Sequence, residues 1–443
     1  MLLLGNGRLI TRDPANPYLE DGCVAMADGL IAEIGRTADL RARYPQAEWV
    51  DARGGVIMPG LINAHGHIYS AFARGMGIRG YNPKGFLDIL DGLWWTLDRH
   101  LLLNDTRLSA DATMIDCIEN GVTTMFDHHA SYGEIEGSLF AIAESARQYG
   151  VRANLCYEVS DRDGESKMRA GVRENVAFLR YASKDTTGTL AGLFGMHAQF
   201  TLSDDTLDYC VSEAPRGVGY HIHVAEGIED VYACLKEHGK RPVFRLHDFG
   251  ILNENTLCGH CTHVSDAEMD MIRDTGANVA HNPESNMGNA IGCPPTIAML
   301  RKGICVGLGT DGYTNDMLES LKVAKLLHQH HLHDATVAWG EAPQMLFENN
   351  AKLATRSFGC ELGVLKTGAA ADVIALDYTP LTPMDGSNLG GHVLFGMSGR
   401  NVIHTVIGGT VKMRDRELLN VDKQAVLARC REAAADLWRR VNA

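Results

Sequence analysis

The sequence predicts an α/β fold, a (β/α)8 TIM-like barrel with a small composite β-sandwich domain, on three observations. From residue 55 to about 365, apolar strands alternate with amphipathic helices, which is typical of a parallel sheet covered by helices. Eight such strands fit this length and favour a closed barrel over an open sheet. Both chain ends carry short strands instead. We therefore expect residues 1–54 and 366–443 to form the sandwich, with a C-terminal helix, and residues 55–365 to form the barrel.

The individual elements follow from the apolar patterning. In the N-terminal segment, Asp28-Gly29 separates two apolar runs, which is a signal for a tight hairpin. The predicted barrel strands are 55–65, 122–128, 152–158, 190–197, 219–225, 256–260, 277–281 and 304–311. Helices are predicted between them, for example at 105–119, 135–149, 167–182, 228–238, 265–275 and 315–331. After residue 365, a hairpin is predicted around Gly408-Gly409 and a last helix over 421–441.

Composition excludes several classes of protein. The 443 residues carry a net charge of −14 with scattered lysines and arginines, whereas nucleic-acid-binding proteins usually show a basic patch. No apolar run approaches the length needed to span a bilayer, and the start has no basic region of a signal peptide. The eleven cysteines are dispersed and odd in number, which fits reduced thiols in the cytoplasm. We expect a cytoplasmic protein without a nucleic-acid or membrane partner.

The first barrel strand ends in a His-x-His motif. His65 and His67 lie two residues apart, so on a strand both imidazoles point the same way, and Gly66 lets the backbone bend between them. Two neutral imidazoles on one face suit zinc or iron. An isolated match is equally well explained by two solvated histidines, so other strand ends must supply further ligands.

The other strand ends supply them. In a (β/α)8 barrel the chemistry lies at the carboxyl ends of the strands. His223 lies in HIHVAE at the end of a strand, and Asp311 ends VGLGTD. With His65 and His67 they give three imidazoles and one carboxylate, enough for one metal with a position left for water. The strand ends carry His65, His67, His128, Glu158, His197, His223, Glu226, His260, His281 and Asp311.

Two further strand-end residues suggest the chemistry. A bound metal lowers the pKa of water toward ~7. Glu226, three residues after His223, is placed to carry the released proton to a leaving group. His260 is expected to polarise the electrophile or to stabilise the developing oxyanion. His281, flanked by apolar residues, is expected to be structural, because the four-ligand set is already complete.

Several motifs together resemble a known superfamily. The set PGLINAHGH, HIHVAE, LCGHC, VAHNPESN and LGTDG resembles the amidohydrolase superfamily, and within it the chlorohydrolase and aminohydrolase group that includes guanine, cytosine and triazine hydrolases. The nearest resemblance is to the SsnA aminohydrolases, and it covers essentially the whole chain. It is carried by LWWTLDR (93–99), DHHAS (127–131), GTDGYTNDM (309–317) and GGHVLFGMSG (390–399).

The resemblance implies a metal-dependent barrel with a composite β-sandwich. Position by position, it implies the metal ligands His65, His67, His223 and Asp311, with catalytic roles for Glu226, His260 and Asp311. Dinuclear members usually bridge their metals with a carbamylated lysine at the end of the fourth strand. That strand here reads GLFGMHAQF, so we expect one divalent metal per subunit, zinc or alternatively iron. Glu158 could in principle bridge a second ion, but we expect it to contact substrate or another side chain.

Other polar residues near the strand ends are expected to bind substrate. His197 matches a position that contacts substrate in related deaminases. Asn282 and Asn286 carry amide groups suited to the edges of heterocycles. One of His128 and His129 should face the pocket, because strand neighbours alternate. Arg74, Tyr69 and the Trp94-Trp95 pair could form a lid or an aromatic wall, although packing against outer helices explains the tryptophans equally well. The predicted substrate-binding residues are His197, Arg74, His128, Glu158, Asn282 and Asn286.

One competing motif is rejected. Cys258-Gly259-His260-Cys261 spells the active-site tetrapeptide of disulfide isomerases, but those motifs open a helix in a thioredoxin-like fold. Here it lies inside a barrel strand, and short motifs often match by chance.

The resulting prediction is a mononuclear metal hydrolase that deaminates an amidine carbon of a purine-like or other nitrogen heterocycle. The alternatives are hydrolytic ring opening of a cyclic amide or ureide, a triazine-type chlorohydrolase, and a non-catalytic binding protein. The intact set of ligands and catalytic residues argues against the last. Family habit suggests a homo-oligomer.

Overall fold

The computed structural model describes all residues from 1 to 443. Its strands are β1 Leu2–Ile10, β2 Tyr18–Ala27, β3 Leu30–Arg36, β4 Glu48–Asp51, β5 Val56–Pro59, β6 Leu61–Gly66, β7 Val122–His129, β8 Arg152–Tyr157, β9 Leu190–Gly192, β10 Phe194–Ala198, β11 Tyr220–Val224, β12 Leu257–His260, β13 Asn278–His281, β14 Val306–Leu308, β15 Val373–Leu376, β16 Val402–Ile407, β17 Thr410–Arg414 and β18 Glu417–Leu418.

The α-helices are α1 Thr37–Arg43, α2 Phe86–Ile89, α3 Trp95–His100, α4 Leu103–Glu119, α5 Ser138–Tyr149, α6 Glu165–Ala182, α7 Asp204–Glu213, α8 Ile228–His238, α9 Pro242–Asp248, α10 Asp266–Thr275, α11 Pro283–Gly288, α12 Thr296–Arg301, α13 Met317–Leu332, α14 Glu341–Pro343, α15 Asn350–Phe358, α16 Leu389–Gly396 and α17 Lys423–Val441. None of them has both the length and the apolar character that crossing a membrane requires.

The barrel consists of two parallel sheets that meet at both edges. One sheet has the order β6-β7-β8-β9 and the other β10-β11-β12-β13-β14. A parallel bridge joins Gly66 to Asp311 and another joins Val159 to Met196, and β9 and β10 together occupy the fourth strand position, interrupted at Leu193. The strands therefore close into a ring with the helices outside. This confirms the predicted fold class.

The predicted strand 55–65 is in fact two strands that belong to different sheets. β5 pairs with β15 and β1, whereas β6 pairs with β7. The change of partner falls at Gly60, whose N–H donates to the Asp372 carbonyl, and a Cβ at this position would lie 2.3 Å from the Thr123 side chain. The sequence concealed the break because both halves are apolar and fully buried.

Both chain ends build the second sheet. Its order is β18-β17-β16-β15-β5-β1-β2-β3, with β4 also paired to β1. The first half of β1 pairs with β4 and its second half with β5, so the sheet splits there around its own aliphatic core, which includes Leu4, Val24 and Val373. This is the composite β domain that the sequence predicts, while the boundaries at residues 54 and 365 stay a prediction.

The C-terminal helix α17 fixes the loop that follows β6. Trp438 Nε1 donates to the Phe72 carbonyl at 2.7 Å, and Asn442 Nδ2 donates to the Gly77 carbonyl at 3.0 Å. The Arg79 N–H donates to Asn442 Oδ1 at 2.7 Å. Because these bonds satisfy buried or irregular backbone groups, the end of the chain holds the segment next to the His-x-His motif in place.

Candidate active site

The carboxyl ends of the barrel strands bring the predicted metal ligands together. His67 Nε2 lies 2.8 Å from Asp311 Oδ1, and His65 Nε2 lies 3.8 Å from the same oxygen. One group of potential ligand atoms within 4.8 Å of one another consists of His65, His67 and Asp311, and a second consists of His65, His223 and His260. His65 belongs to both groups and so links His67 and Asp311 to His223.

Backbone carbonyls set which ring nitrogen faces that point. His67 Nδ1 donates to the His128 carbonyl at 2.5 Å, and His223 Nδ1 donates to the His197 carbonyl at 3.0 Å. A carbonyl can only accept, so the proton of each neutral ring lies on Nδ1 and the lone pair on Nε2. Such outer contacts are the usual way a metal-binding histidine is oriented.

His65 is oriented by another histidine. Its Nδ1 lies 2.8 Å from His221 Nε2, and the His221 ring stacks on His128 with centroids 4.4 Å apart. His65 Nε2 is buried and has no hydrogen-bond partner. A buried polar atom without a partner is costly, so this nitrogen is explained best by a group that the protein binds there.

The charges of the site suit a cation. Although burial opposes its charge, Asp311 and Glu158 raise the pKa of His67 well above its usual value. Burial also opposes ionisation of Asp311, but His67, His260 and His65 lower its pKa well below the ordinary range. Burial lowers the pKa values of His65 and His223. A metal ion between Asp311 and His67 would replace the proton that holds these two groups together.

His260 faces two carboxylates. Its Nε2 lies 3.7 Å from Glu226 Oε1 and 3.6 Å from Asp311 Oδ2, while its Nδ1 lies 2.8 Å from Asn286 Oδ1. Both His260 and Asp311 have left-handed backbones, with φ of 65° and 56°. Non-glycine residues in this region cost of order 1 kcal/mol and are typical of functional sites.

Glu226 lines a small pocket over these residues. Burial, and then the Asp311 carboxylate, raise the pKa of Glu226 well above its usual value. The pocket has a volume of about 30 Å³ and is covered by Leu90, Trp94 and Trp95, room for no more than about three water molecules. A heterocycle can enter only if the covering segment moves.

The predicted substrate-binding residues occupy different places. Glu158 and His197 line the pocket, whereas His128 lies beside the ligands with Nδ1 3.4 Å from His223 Nε2. Asn282 is fully buried with Nδ2 3.5 Å from His260 Nε2, and its Oδ1 has no partner. Asn286 supports His260 from behind. Arg74 is exposed and lines a separate cavity, so it is not brought together with the rest.

Two residues at the site were missed. His221 orients His65, and Asp127 Oδ1 accepts from the Ile68 N–H at 2.7 Å. The spacing of His221 and His223 repeats the His-x-His pattern and could have indicated His221. Asp127 acts on its neighbour through space, for which the sequence carries no signal. Ser285, which follows the same strand as Asn282, donates from Oγ to Asp311 Oδ2.

Helix α11, which carries Asn286, provides a test of the electrostatics around the site. Glu284 accepts from Ser320 Oγ at 2.6 Å, and burial raises its pKa to about 7. The folded chain therefore holds the Glu284 proton more tightly than the unfolded chain does. The contribution of this protonated carboxyl to the free energy of unfolding declines as the pH rises from ~4 to ~7. The free energy of unfolding of Glu284→Gln, relative to that of the wild type, should therefore increase by roughly 2 kcal/mol from pH 5 to pH 8. Chemical denaturation at both values measures this gain.

The matched control is Glu432→Gln, because Glu432 is exposed on α17 and is not among the charges that act on Glu284. A difference between Glu284→Gln and wild type that is the same at both pH values would contradict the assignment.

Most of the chain matches a profile of a known protein family. The profile described as Amidohydrolase family matches residues 56–412. A second profile, described as Imidazolonepropionase-like composite domain, bacteria, matches residues 22–47, which lie in the composite β domain.

Individual relatives cover most or all of the chain. A 5'-deoxyadenosine deaminase from Methanosarcina barkeri is 32% identical over 450 residues, covering 100% of this chain and 99% of the relative. A 5-methylthioadenosine/S-adenosylhomocysteine deaminase from Haloarcula marismortui is 32% identical over 400 residues, covering 88% and 89%. The crystal structure of an adenosine deaminase from Xanthomonas campestris with bound zinc superimposes with a TM-score of 0.86 at 23% identity, covering 98% of both chains; this last similarity bears on the fold alone.

Proposed function

Because the chain belongs to the amidohydrolase family, we propose that it is a metal-dependent hydrolase that deaminates a purine-type nitrogen heterocycle. The observation that carries this proposal is the convergence of three imidazoles and one carboxylate on a buried point, with Glu226 and His260 facing the same point. A donor set of this kind holds zinc with a position left for water or substrate.

We assign His65, His67, His223 and Asp311 as ligands of one divalent ion, zinc or alternatively iron. The fit rests on the unpartnered Nε2 of His65, on the Nδ1 hydrogen bonds that direct Nε2 of His67 and His223 toward the centre, and on the carboxylate 2.8 Å from His67. When bound, the ion supplies a Lewis acid that makes water nucleophilic at neutral pH. The fourth strand offers no lysine, which supports a single ion.

In this proposal Glu226 moves the protons. Burial raises its pKa well above the ordinary value, so this carboxyl holds a proton more readily than an exposed glutamate does, which suits a general acid and base. Glu226 takes one proton from the attacking water and gives it to a ring nitrogen next to the amidine carbon. It then takes the second proton of the attacking oxygen and gives it to the amino group, which leaves as ammonia as the C–N bond breaks and the C=O bond forms. The pocket that Leu90, Trp94 and Trp95 cover excludes bulk water from these transfers.

His260 and Asp311 act on the other side of the reacting carbon. Since His260 Nδ1 is engaged by Asn286, its Nε2 is directed at the space between Glu226 and Asp311. When Nε2 also carries a proton, it donates to the attacking oxygen there and stabilises the charge that develops on it. Asp311 accepts from Ser285 through Oδ2 and orients the nucleophile with the oxygen nearer His67.

For the substrate, we propose an adenosine-type nucleoside with a modified 5' position. This rests on two relatives, a 5'-deoxyadenosine deaminase that covers 100% of this chain and a 5-methylthioadenosine/S-adenosylhomocysteine deaminase that covers 88% of it. The aromatic cover of Tyr69, Trp94 and Trp95 over the pocket suits stacking against a purine. A homo-oligomeric state and a cytoplasmic location stay predictions.

The test is mass spectrometry of a mixed pool of purines, 5'-modified adenosines, pterins, triazines and ureides after incubation with zinc-loaded protein in heavy-oxygen water. We expect one amino group to be replaced by labelled oxygen, with release of ammonia. A product that is heavier by one whole water and forms without release of ammonia would contradict deamination and indicate ring opening.

A further inference from the structure

We propose that a second cavity, next to the candidate active site and outside it, binds an amphipathic anion such as a medium-chain carboxylate. The cavity has a volume of about 430 Å³, within the range of small-molecule sites. It lies between the loop after β6, helix α4 and the C-terminal helix α17. The inference concerns ligand binding only and does not depend on the proposed deamination.

The cavity and the catalytic pocket are separated by a specific contact. Ser70 Oγ donates to the Gly312 carbonyl at 3.2 Å, and a Cβ on Gly312 would lie 3.1 Å from the Trp94 ring. Trp94 therefore closes the catalytic pocket on one side of this contact, and the cavity lies on the other. His67 and Asp311 contribute to both walls, so an occupant lies against the back of the predicted metal site.

The inner wall of the cavity is apolar. Phe72, Met125, Leu427 and Trp438 line it together with small alanine side chains from α4 and α17. The residues of α17 that line the cavity recur at intervals of three or four between Leu427 and Trp438, so one face of this helix borders the cavity. Apolar area of this kind gains free energy when an aliphatic or aromatic group covers it.

The rim of the cavity carries two arginines that form no ion pair. Arg74 and Arg431 are exposed, and neither has a carboxylate within 4.0 Å or a hydrogen-bonded side-chain partner. The one other carboxylate in the lining besides Asp311 is Asp116, whose two oxygens are engaged by the amides of Asn120 and Asn315. Two free guanidinium groups at the mouth of an apolar cavity favour a ligand with a carboxylate head and an apolar tail.

Isothermal titration calorimetry with hexanoate, octanoate and decanoate tests the proposal. We expect the affinity to rise about fourfold for each added methylene, because each buries apolar surface in the cavity. Decylamine, which has the same tail and the opposite charge, should not bind detectably. Equal affinities along the carboxylate series, or equal binding of decylamine, would overturn the proposal.

Two variants locate the site. Arg74→Ala combined with Arg431→Ala should weaken decanoate about tenfold or more, whereas the matched pair Arg79→Ala and Arg429→Ala, exposed arginines of the same segments outside the cavity, should not. Ala434→Trp, which fills the cavity from α17, should abolish binding. If the double Arg74/Arg431 variant binds decanoate as tightly as the wild type does, the decanoate site lies elsewhere and the inference is wrong. This outcome does not depend on whether the Ala434 variant folds.

Discussion

Glu226→Gln should retain its metal while kcat falls by about 10²- to 10⁴-fold, the range that general acid and base groups contribute. The amide keeps the shape of the side chain and its place in the pocket, but it cannot take a proton from water or give one to ammonia. Because Glu226 is not among the predicted ligands, metal content should stay at the wild-type level. Steady-state kinetics, with metal analysis of the same sample, measures both quantities.

The matched control is Glu229→Gln, three residues further along at the start of α8 and outside the pocket. This variant should have wild-type turnover. If Glu226→Gln turned over substrate at a rate comparable to that of Glu229→Gln, Glu226 would not be the group that moves the proton, and the proposed mechanism would be wrong.

His223→Ala should lose the metal and, with it, the activity. The variant removes one of the three imidazoles. In the wild type, His223 Nδ1 donates to the His197 carbonyl, and this bond directs Nε2 toward the centre of the site. Loss of a group behind a ligand already weakens metal binding 10- to 100-fold, so loss of the ligand itself should exceed ~100-fold. Metal analysis after dialysis against a weak chelator provides the measurement.

His238→Ala, a partly exposed histidine on α8, is the control for the loss of an imidazole. It should keep the metal content of the wild type. A full equivalent of metal in His223→Ala would mean that another set of residues binds the ion, of which Glu158 and His128 are the candidates because they lie with His67 in a second ligand group.

Much of the site could be predicted because barrel topology places every strand end on one face. The predicted strands alone therefore place four strand-end residues close together, independently of how the side chains pack: His65, His223, His260 and Asp311. The family resemblance then named the ligands. The same logic predicted that one of the two adjacent histidines on β7 points inward, as His128 does, while His129 faces the other way with neither nitrogen bonded.

What could not be predicted depends on contacts across the fold. The break at Gly60 is invisible in an apolar run, because the close approach of Thr123, which leaves no room for a Cβ at Gly60, exists only after folding. Arg74 follows the metal motif closely in sequence, yet the loop carries it outward to α17. The roles of His221 and Asn286 as supports of other histidines arise from orientation, which residue spacing alone does not fix.

The most direct measurement is a titration of chelator-stripped protein with zinc, in which ammonia release from the substrate found in the mixed pool is followed. We expect no ammonia without metal, a linear rise, and a plateau at one equivalent per chain, because three imidazoles and one carboxylate converge on one point. Ammonia release by the stripped protein, or a plateau reached only at two equivalents, would contradict a single-metal deaminase.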